Sequence, residues 1–278
     1  MEKVVAGIVS FNPDLSLLLQ EVKTLMHIGM DIIVVDNGSS NVNDISSLLE
    51  DLPICFIKNG ENLGVAHALN EIFEKAIDMQ AKAVLTLDQD SLLPDNLLSL
   101  ITTNFFENNI GIVCPSISYY GKRQKKQINM LVEVKWAITS GSLIKVDVWK
   151  KIGGFNDLLF IDYVDFDFCY RIRSKGYKIY QHRDVVFEHR LGENERRNFL
   201  FWKISIISHS PIRYYYKTRN VVFLRRKKEL SLLSCLKIIL RMKIDVLFES
   251  ETKRKKRMIK KGIRDGKMLY KASHYIKP

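Results

Sequence analysis

DIIVVDNGSS, residues 31–40, is the stretch that decides the fold. Four aliphatic β-branched residues, Ile32, Ile33, Val34 and Val35, run consecutively between two aspartates. A strand apolar on both faces is covered on both faces, which is the habit of parallel sheets; a strand with one wet face would alternate. The NGSSN that follows is turn chemistry and stops the strand. The same unit repeats outward in both directions. VVAGIVSF (4–11) precedes it, followed by residues 14–29, where Leu15, Leu18, Leu19, Val22 and Leu25 fall at helical spacing. After it come a helical segment (43–51), the strand PICFIKN (53–59), a helix (64–78) and the strand AVLTLD (83–88). Apolar strands alternating with amphipathic helices predict an α/β fold whose open, doubly wound sheet is joined by right-handed crossovers. Ligands bind outside the carboxyl ends of such strands. Here those ends are Ser10–Asn12, Asp36–Ser39, Asn59–Gly64 and Asp88–Ser91.

Beyond residue 110 the pattern is mixed. GIVCPSISYY (111–120) and VEVKWAI (132–138) read as strands around the polar GKRQKKQ, a solvated hairpin or flap. A short helix near 145–152 and the turn GGFND lead to FIDYVDFDFCYRIRSKGY, a helix of about three turns ending at Gly176. YKIYQH and VVFEH read as two short strands, and from residue 196 the pattern is helical and basic.

Composition bounds the class. The 278 residues are 46% hydrophobic, which excludes a disordered chain. The net charge of +12 is uneven: residues 1–195 hold 19 Lys+Arg against 26 Asp+Glu, residues 196–278 hold 24 against 5. A mildly acidic body with a basic annex argues against a uniform nucleic-acid coat. Four scattered cysteines form no CxxC pair, so they are expected to be reduced thiols of a cytoplasmic protein. No secretory leader is visible and no apolar run is long enough to span a bilayer. ELSLLSCLKIILRMKIDVLF (229–248) is amphipathic and precedes the basic run TKRKKRMIKKGIRDGK (252–267). That pairing fits peripheral docking on the inner, anionic face of a membrane, and fits equally a helical subdomain whose basic face is solvated.

GxGxxG, GxxxxGK[ST], GxSxG and HExxH are all absent. The acidic strand ends need another ligand. Asp36 can accept hydrogen bonds from a base or ribose edge, or can simply make its turn. Asp88 and Asp90, two apart at a strand end, can offer oxygens to Mg²⁺ or Mn²⁺ alongside substrate phosphates. Asp162, Asp165 and Asp167 crowd a helix start; Asp162 as N-cap and Asp165 in the first turn suit the helix dipole, and the third charge exceeds what capping needs. His189 follows a short strand, where an imidazole can ligate a metal or bond to backbone.

In order, IVSFNPD (8–14), IVVDNGSS (33–40), NLGVAHALN (62–70), LDQDS (87–91), SGSLIK (140–145), GGFND (153–157), FIDYVDFDFCYR (160–171) and YYYKTRN (214–220) resemble the inverting family 2 glycosyltransferases of GT-A fold. The last two strings resemble the bacterial rhamnosyltransferases that use dTDP-L-rhamnose. The resemblance implies a catalytic domain over residues 1–225 and a basic helical extension over 226–278. It implies that Ser10, Asn12 and Asp36 line the base and ribose site, that Asn62 and Gly64 frame the nucleotide, and that Ser140 and Gly141 lie near the donor sugar. Asp88 and Asp90 become the DxD pair for Mg²⁺ or Mn²⁺, Asp90 first, with His189 nearby. Asp165 stands where the family's base stands, with Asp162 second; Val164 replaces a glutamate that many members carry before the base. The implied reaction transfers a sugar to a hydroxyl of a glycan or lipid-linked glycan in bacterial surface-polysaccharide synthesis. A UDP-sugar such as UDP-galactose is the alternative donor, and a non-catalytic nucleic-acid- or membrane-binding protein the alternative class.

Overall fold

The computed structural model describes residues 2–101, 105–106, 109–118, 130–188, 194–199, 202–207 and 209–275. The chain divides into two compact units, residues 1–160 with 164–190, and residues 161–163 with 191–278.

The first unit is built on eight strands: β1 (Val4–Ser10), β2 (Asp31–Asp36), β3 (Cys55–Lys58), β4 (Ala83–Asp88), β5 (Ile110–Ser118), β6 (Leu131–Val134), β7 (Ser142–Lys145) and β8 (Lys178–Glu188). Their order is β3-β2-β1-β4-β7-β5-β8-β6. β1 pairs in parallel with β2 and β4, and β2 with β3. Three helices make these crossovers: α1 (Leu15–His27), α2 (Val42–Leu49) and α3 (Val65–Asp78). Asp14 caps α1 by accepting from the N–H groups of Ser16 and Leu17. One face of the sheet, with Ala6, Ile8, Ile32, Val34, Leu85 and Leu87, packs on Leu18, Val22, Leu25, Ile45 and Leu49. The expected doubly wound parallel half is therefore present, with a mixed half attached: β7 runs antiparallel to β4 and β5, β8 parallel to β5, and β6 antiparallel to β8.

Three local readings change. β5 and β6 are not a hairpin, because β8 lies between them. The strand expected over 132–138 stops at Val134, and GKRQKKQ lies outside the described residues. YKIYQH and VVFEH belong to one strand, β8, whose register against β5 shifts between Pro115 and Ser116. That irregularity breaks the alternation and makes one strand read as two. Two short helices complete this unit, α4 (Val146–Ile152) and α5 (Val164–Ser174).

In the second unit, β9 (Asn194–Phe199) and β10 (Trp202–Ile207) form an antiparallel hairpin where the sequence reads as helical. Its polar, Arg- and Asn-containing first strand gives no apolar alternation to recognise. The helices α6 (Pro211–Arg226), α7 (Leu232–Asp245) and α8 (Thr252–Tyr275) follow. α6, which the sequence reading places with the catalytic half, packs along α8. Gly262 and Gly266 make this possible: a Cβ on Gly266 would lie 2.4 Å from the Arg219 carbonyl oxygen, and one on Gly262 2.6 Å from that of Tyr215. At the centre, Glu249 accepts from the Tyr214 hydroxyl and, at 2.6 Å, from the Lys255 ammonium. Lys255 is only 2% exposed, so one member of the basic run is a buried, paired charge. Among the described residues no helix is long and apolar enough to cross a membrane.

Candidate active site

The carboxyl ends of β1, β2 and β4 gather most of the expected residues of the first unit. Ser10 and Asp36 are register partners on adjacent strands, and both are fully buried. Asp36 Oδ2 accepts from the N–H groups of Gly38 and Ser39 at 3.2 and 3.0 Å, the turn chemistry anticipated from Asp-Asn-Gly. Its other oxygen, Oδ1, and Ser10 Oγ have no hydrogen-bond partner among the described residues. Leaving a buried polar atom unpaired costs about 1–3 kcal/mol, and here two such atoms on neighbouring strand ends leave a donor and an acceptor open side by side.

The loops around them are fixed. Asn12, with φ of 48°, accepts from the N–H and hydroxyl of Ser40 at 2.8 Å, while its own N–H donates to Ser39 Oγ. Asn37 donates to Asn62 Oδ1 and accepts from Leu63 N–H, and Asn62 accepts from Gly64 N–H at 3.0 Å. Gly64, at φ of 94°, starts α3, and a Cβ there would lie 2.7 Å from the Phe160 carbonyl oxygen, which accepts from Val65 N–H. No other residue type fits this corner.

On β4, Asp88 is half-buried and Asp90 exposed. Ser91 Oγ donates to the Asp88 carbonyl at 2.7 Å and lies 3.4 Å from the hydroxyl of buried Ser140. Gly141 donates its N–H to the Thr86 carbonyl of the same strand. The SGS segment is thus brought beside the DxD turn. Among the described residues no three His, Cys, Asp or Glu side chains converge as a metal cluster. Two carboxylates are nonetheless a suitable donor set for Mg²⁺ or Mn²⁺, ions that take few protein carboxylates and complete their shell with water and phosphate oxygens. His189 lies outside the described residues.

Asp165 sits half-buried in the first turn of α5 and accepts from Phe166 N–H at 2.8 Å. Beside it, Phe166 stacks on Trp136 at 4.2 Å, and the Arg173 guanidinium lies over Trp136 at 4.5 Å. The neighbouring acids separate by role. Asp167 is fully buried and bound by Arg171 through two nitrogens at 2.7 Å, which accounts for the charge that capping left over. Asp162, expected as the N-cap, belongs to the second unit and has φ of 62°, away from the extended backbone of a cap. Within that unit Arg213 holds its carboxylate at 3.3 Å, and Asn220 donates to the carbonyls of Ile161 and Asp162 at 2.8 Å. Asn220 and Tyr214, both from YYYKTRN, point into the second unit.

Three contributors escape the sequence reading. Gln89, between the two aspartates, accepts from Phe11 N–H at 2.6 Å and donates to the Phe11 carbonyl, tying the ends of β1 and β4. Its signal was its place inside the DxD. Asn70, the last residue of NLGVAHALN, bonds the Phe155 N–H and carbonyl, the Asp157 carboxylate and the Trp149 indole, so α3 and GGFND are locked together. Glu21 of α1 is 3% exposed and lines a cavity of about 90 Å³ with Asp90, Ser91 and Leu93. Burial, then the charges of Asp88 and Asp90, push its carboxyl up to about 9, against a smaller opposing pull from Ser91. A neutral acid therefore lies under the DxD turn at pH 7, and its signal in the sequence was its place three residues after Leu18 and four before Leu25, beside the apolar stripe of α1.

The chain is 27% identical over 247 residues to the dTDP-rhamnosyl transferase RfbF of Shigella flexneri, covering 83% of this chain and 82% of that one. Among solved structures it is similar to GalNAc-T7 with UDP, GalNAc and Mn²⁺ (TM-score 0.58, 15% identity, 80% of this chain), of whose length it spans only 48%. It is also similar to the mannosyltransferase PcManGT of Pyrobaculum calidifontis with GDP-Man and Mn²⁺ (TM-score 0.55, 15% identity, 99% of this chain and 76% of that one). These likenesses give the fold, the GT-A arrangement. A family model, that of glycosyl transferase family 2, matches residues 8–158, more than half of the sequence. The chain belongs to glycosyl transferase family 2.

Proposed function

We propose that this protein transfers L-rhamnose, with inversion, from dTDP-L-rhamnose to a hydroxyl of a glycan or lipid-linked glycan in bacterial surface-polysaccharide synthesis, at the inner face of the membrane. The observation that supports a pyrimidine nucleotide most is the pair of unsatisfied atoms Ser10 Oγ and Asp36 Oδ1 at the ends of β1 and β2. A buried carboxylate oxygen accepts from a ring N–H, and a serine hydroxyl can donate to a ring carbonyl. Thymine and uracil present the same edge, so the rhamnosyl donor is favoured by the Shigella relative, and UDP-sugars belong in the test.

Asn12, Asn62 and Gly64 hold the loops that frame base and ribose, while Ser140 and Gly141 bound the donor sugar. Asp88 and Asp90 would hold a divalent cation, Mg²⁺ or Mn²⁺, which when bound neutralises the charge that develops on the departing diphosphate. Asp165 takes the proton of the acceptor hydroxyl as its oxygen bonds to the anomeric carbon from the face opposite the breaking carbon–oxygen bond. Such assistance is worth about 10²–10⁴-fold. Asp162 is the poorer base because Arg213 occupies its carboxylate.

The test is thermal stabilisation by a panel of dTDP- and UDP-sugars with Mn²⁺, read beside slow donor hydrolysis. A ligand at 100 times its Kd adds about 2.7 kcal/mol, so dTDP-L-rhamnose should raise the melting temperature above all others. Stabilisation by a UDP-sugar alone would move the donor assignment, and none by any of them would overturn the reading.

A further inference from the structure

α7 has two apolar faces, and only one is used. Cys235, Met242 and Val246 turn inward, where Met242 and Val246 join Tyr214 and Ile259 in the core of the second unit. On another side Leu233, Leu236, Leu240, Ile244 and, just past the helix, Leu247 are 71, 55, 59, 40 and 56% exposed. At 3.6 residues per turn these five side chains fall within about a third of the helix circumference and make one continuous stripe. Exposed leucines occur singly on most surfaces; a stripe of five along one helix is a contact face. Lys237, Arg241 and Lys243 are exposed along its length.

α8, in the same unit, supplies the charge. Lys253, Arg254, Lys256, Arg257, Lys260, Lys261, Arg264, Lys267 and Lys271 are all exposed, while Ile259, Gly262 and Gly266 face inward. Apart from Met268 and Ala272, the exposed described residues of α8 are cationic. Two occupants could cover the leucine stripe, a second copy of this chain or a lipid surface. A second copy would set one basic unit, 24 Lys+Arg against 5 Asp+Glu over residues 196–278, against another of the same sign. An anionic bilayer is complementary in charge and apolar just beneath its headgroups.

We infer that the stripe Leu233–Leu236–Leu240–Ile244–Leu247 inserts among the headgroups of an anionic bilayer, with α7 lying in the plane of the interface and the α8 cations drawing it there. This specifies the docking face for the membrane location proposed above, and rests on that location rather than on the chemistry of transfer. α7 is about 21 Å long, suited to lying in an interface.

The experiment is co-sedimentation of the full chain with vesicles of phosphatidylglycerol and phosphatidylcholine, and with phosphatidylcholine alone, across salt concentrations. Binding to the anionic vesicles only, weakening with salt, is the expected result. Leu236→Glu with Leu240→Glu should lower it about 100-fold or more, since two inserted side chains are lost. Lys256→Glu with Lys260→Glu should lower it about 10-fold or more. Both pairs are exposed, so unfolding temperature and donor hydrolysis in solution should be unchanged. Equal binding to both vesicle types, or binding indifferent to the leucine pair, would overturn the inference. So would a wild-type dimer by light scattering that the leucine pair dissolves without any effect on vesicles. Failure of donor hydrolysis beside normal vesicle binding would count against the catalytic reading alone.

Discussion

The strand ends of the sheet unit and the Glu249 cluster at the centre of the helical unit treat buried polar groups in opposite ways. At the strand ends, Ser10 Oγ and Asp36 Oδ1 are buried and unpaired among the described residues, and Glu21 is forced neutral beneath the DxD turn. At the centre of the helical unit, the buried polar side chains satisfy one another: Tyr214 and Lys255 on Glu249, Thr218 on the Tyr214 carbonyl, Asn220 on the carbonyls of Ile161 and Asp162. Both arrangements cost desolvation, and only the second recovers it internally. The difference separates strand ends that leave buried polar atoms open, as the proposed nucleotide site requires, from a cluster that spends them on holding its shape.

Four changes would break or sharpen that contrast. Asp90→Asn strikes the ligand-facing side, and steady-state kinetics should show transfer reduced by about 100-fold or more with the fold intact. Gly266→Val strikes the shape-holding side. With the Arg219 carbonyl 2.4 Å from the new Cβ, α6 and α8 must separate, at about 3 kcal/mol or more in a thermal unfolding measurement.

Glu21→Gln should stabilise. Because its folded carboxyl is raised from 4.5 to about 9, the native state binds the extra proton between those values. Stability is therefore full at and below pH 4.5 and falls as pH rises towards 9, by up to about 1.4 kcal/mol per pH unit. The amide cannot ionise, so unfolding curves of Glu21→Gln should lose that slope and lie above wild type at pH 8. An unchanged slope would remove Glu21 as its source. The smallest effect is expected from Asn70→Ala, which loses the bonds between α3 and GGFND and should cost about 1–2 kcal/mol by the same measurement.

The sheet unit was legible because its signals are local. Wholly apolar strands such as DIIVVD imply two covered faces, and an acid at a strand end points to the ligand edge. The places of Ser10, Asp36 and Asp88 as the last residues of β1, β2 and β4 were legible that way. What escaped depends on pairing in space. Lys255 looks like its neighbours in TKRKKR until Glu249 is set beside it, and Asp167 looked like surplus charge until Arg171 closed on it. Glu21 flanks the apolar stripe of Leu18, Val22 and Leu25, where its charge alone argued for solvent. β8 read as two strands because a shift of register interrupts its alternation, and β9 carries no apolar pattern at all.

The central claim is that Asp165 is the base of a nucleotide-sugar transfer. Its most direct test is Asp165→Asn, measured for transfer turnover and, by calorimetry, for dTDP-L-rhamnose affinity with Mn²⁺. Turnover is expected to fall by about 10²–10⁴-fold with affinity within a few-fold of wild type. Turnover close to wild type would contradict this role of Asp165.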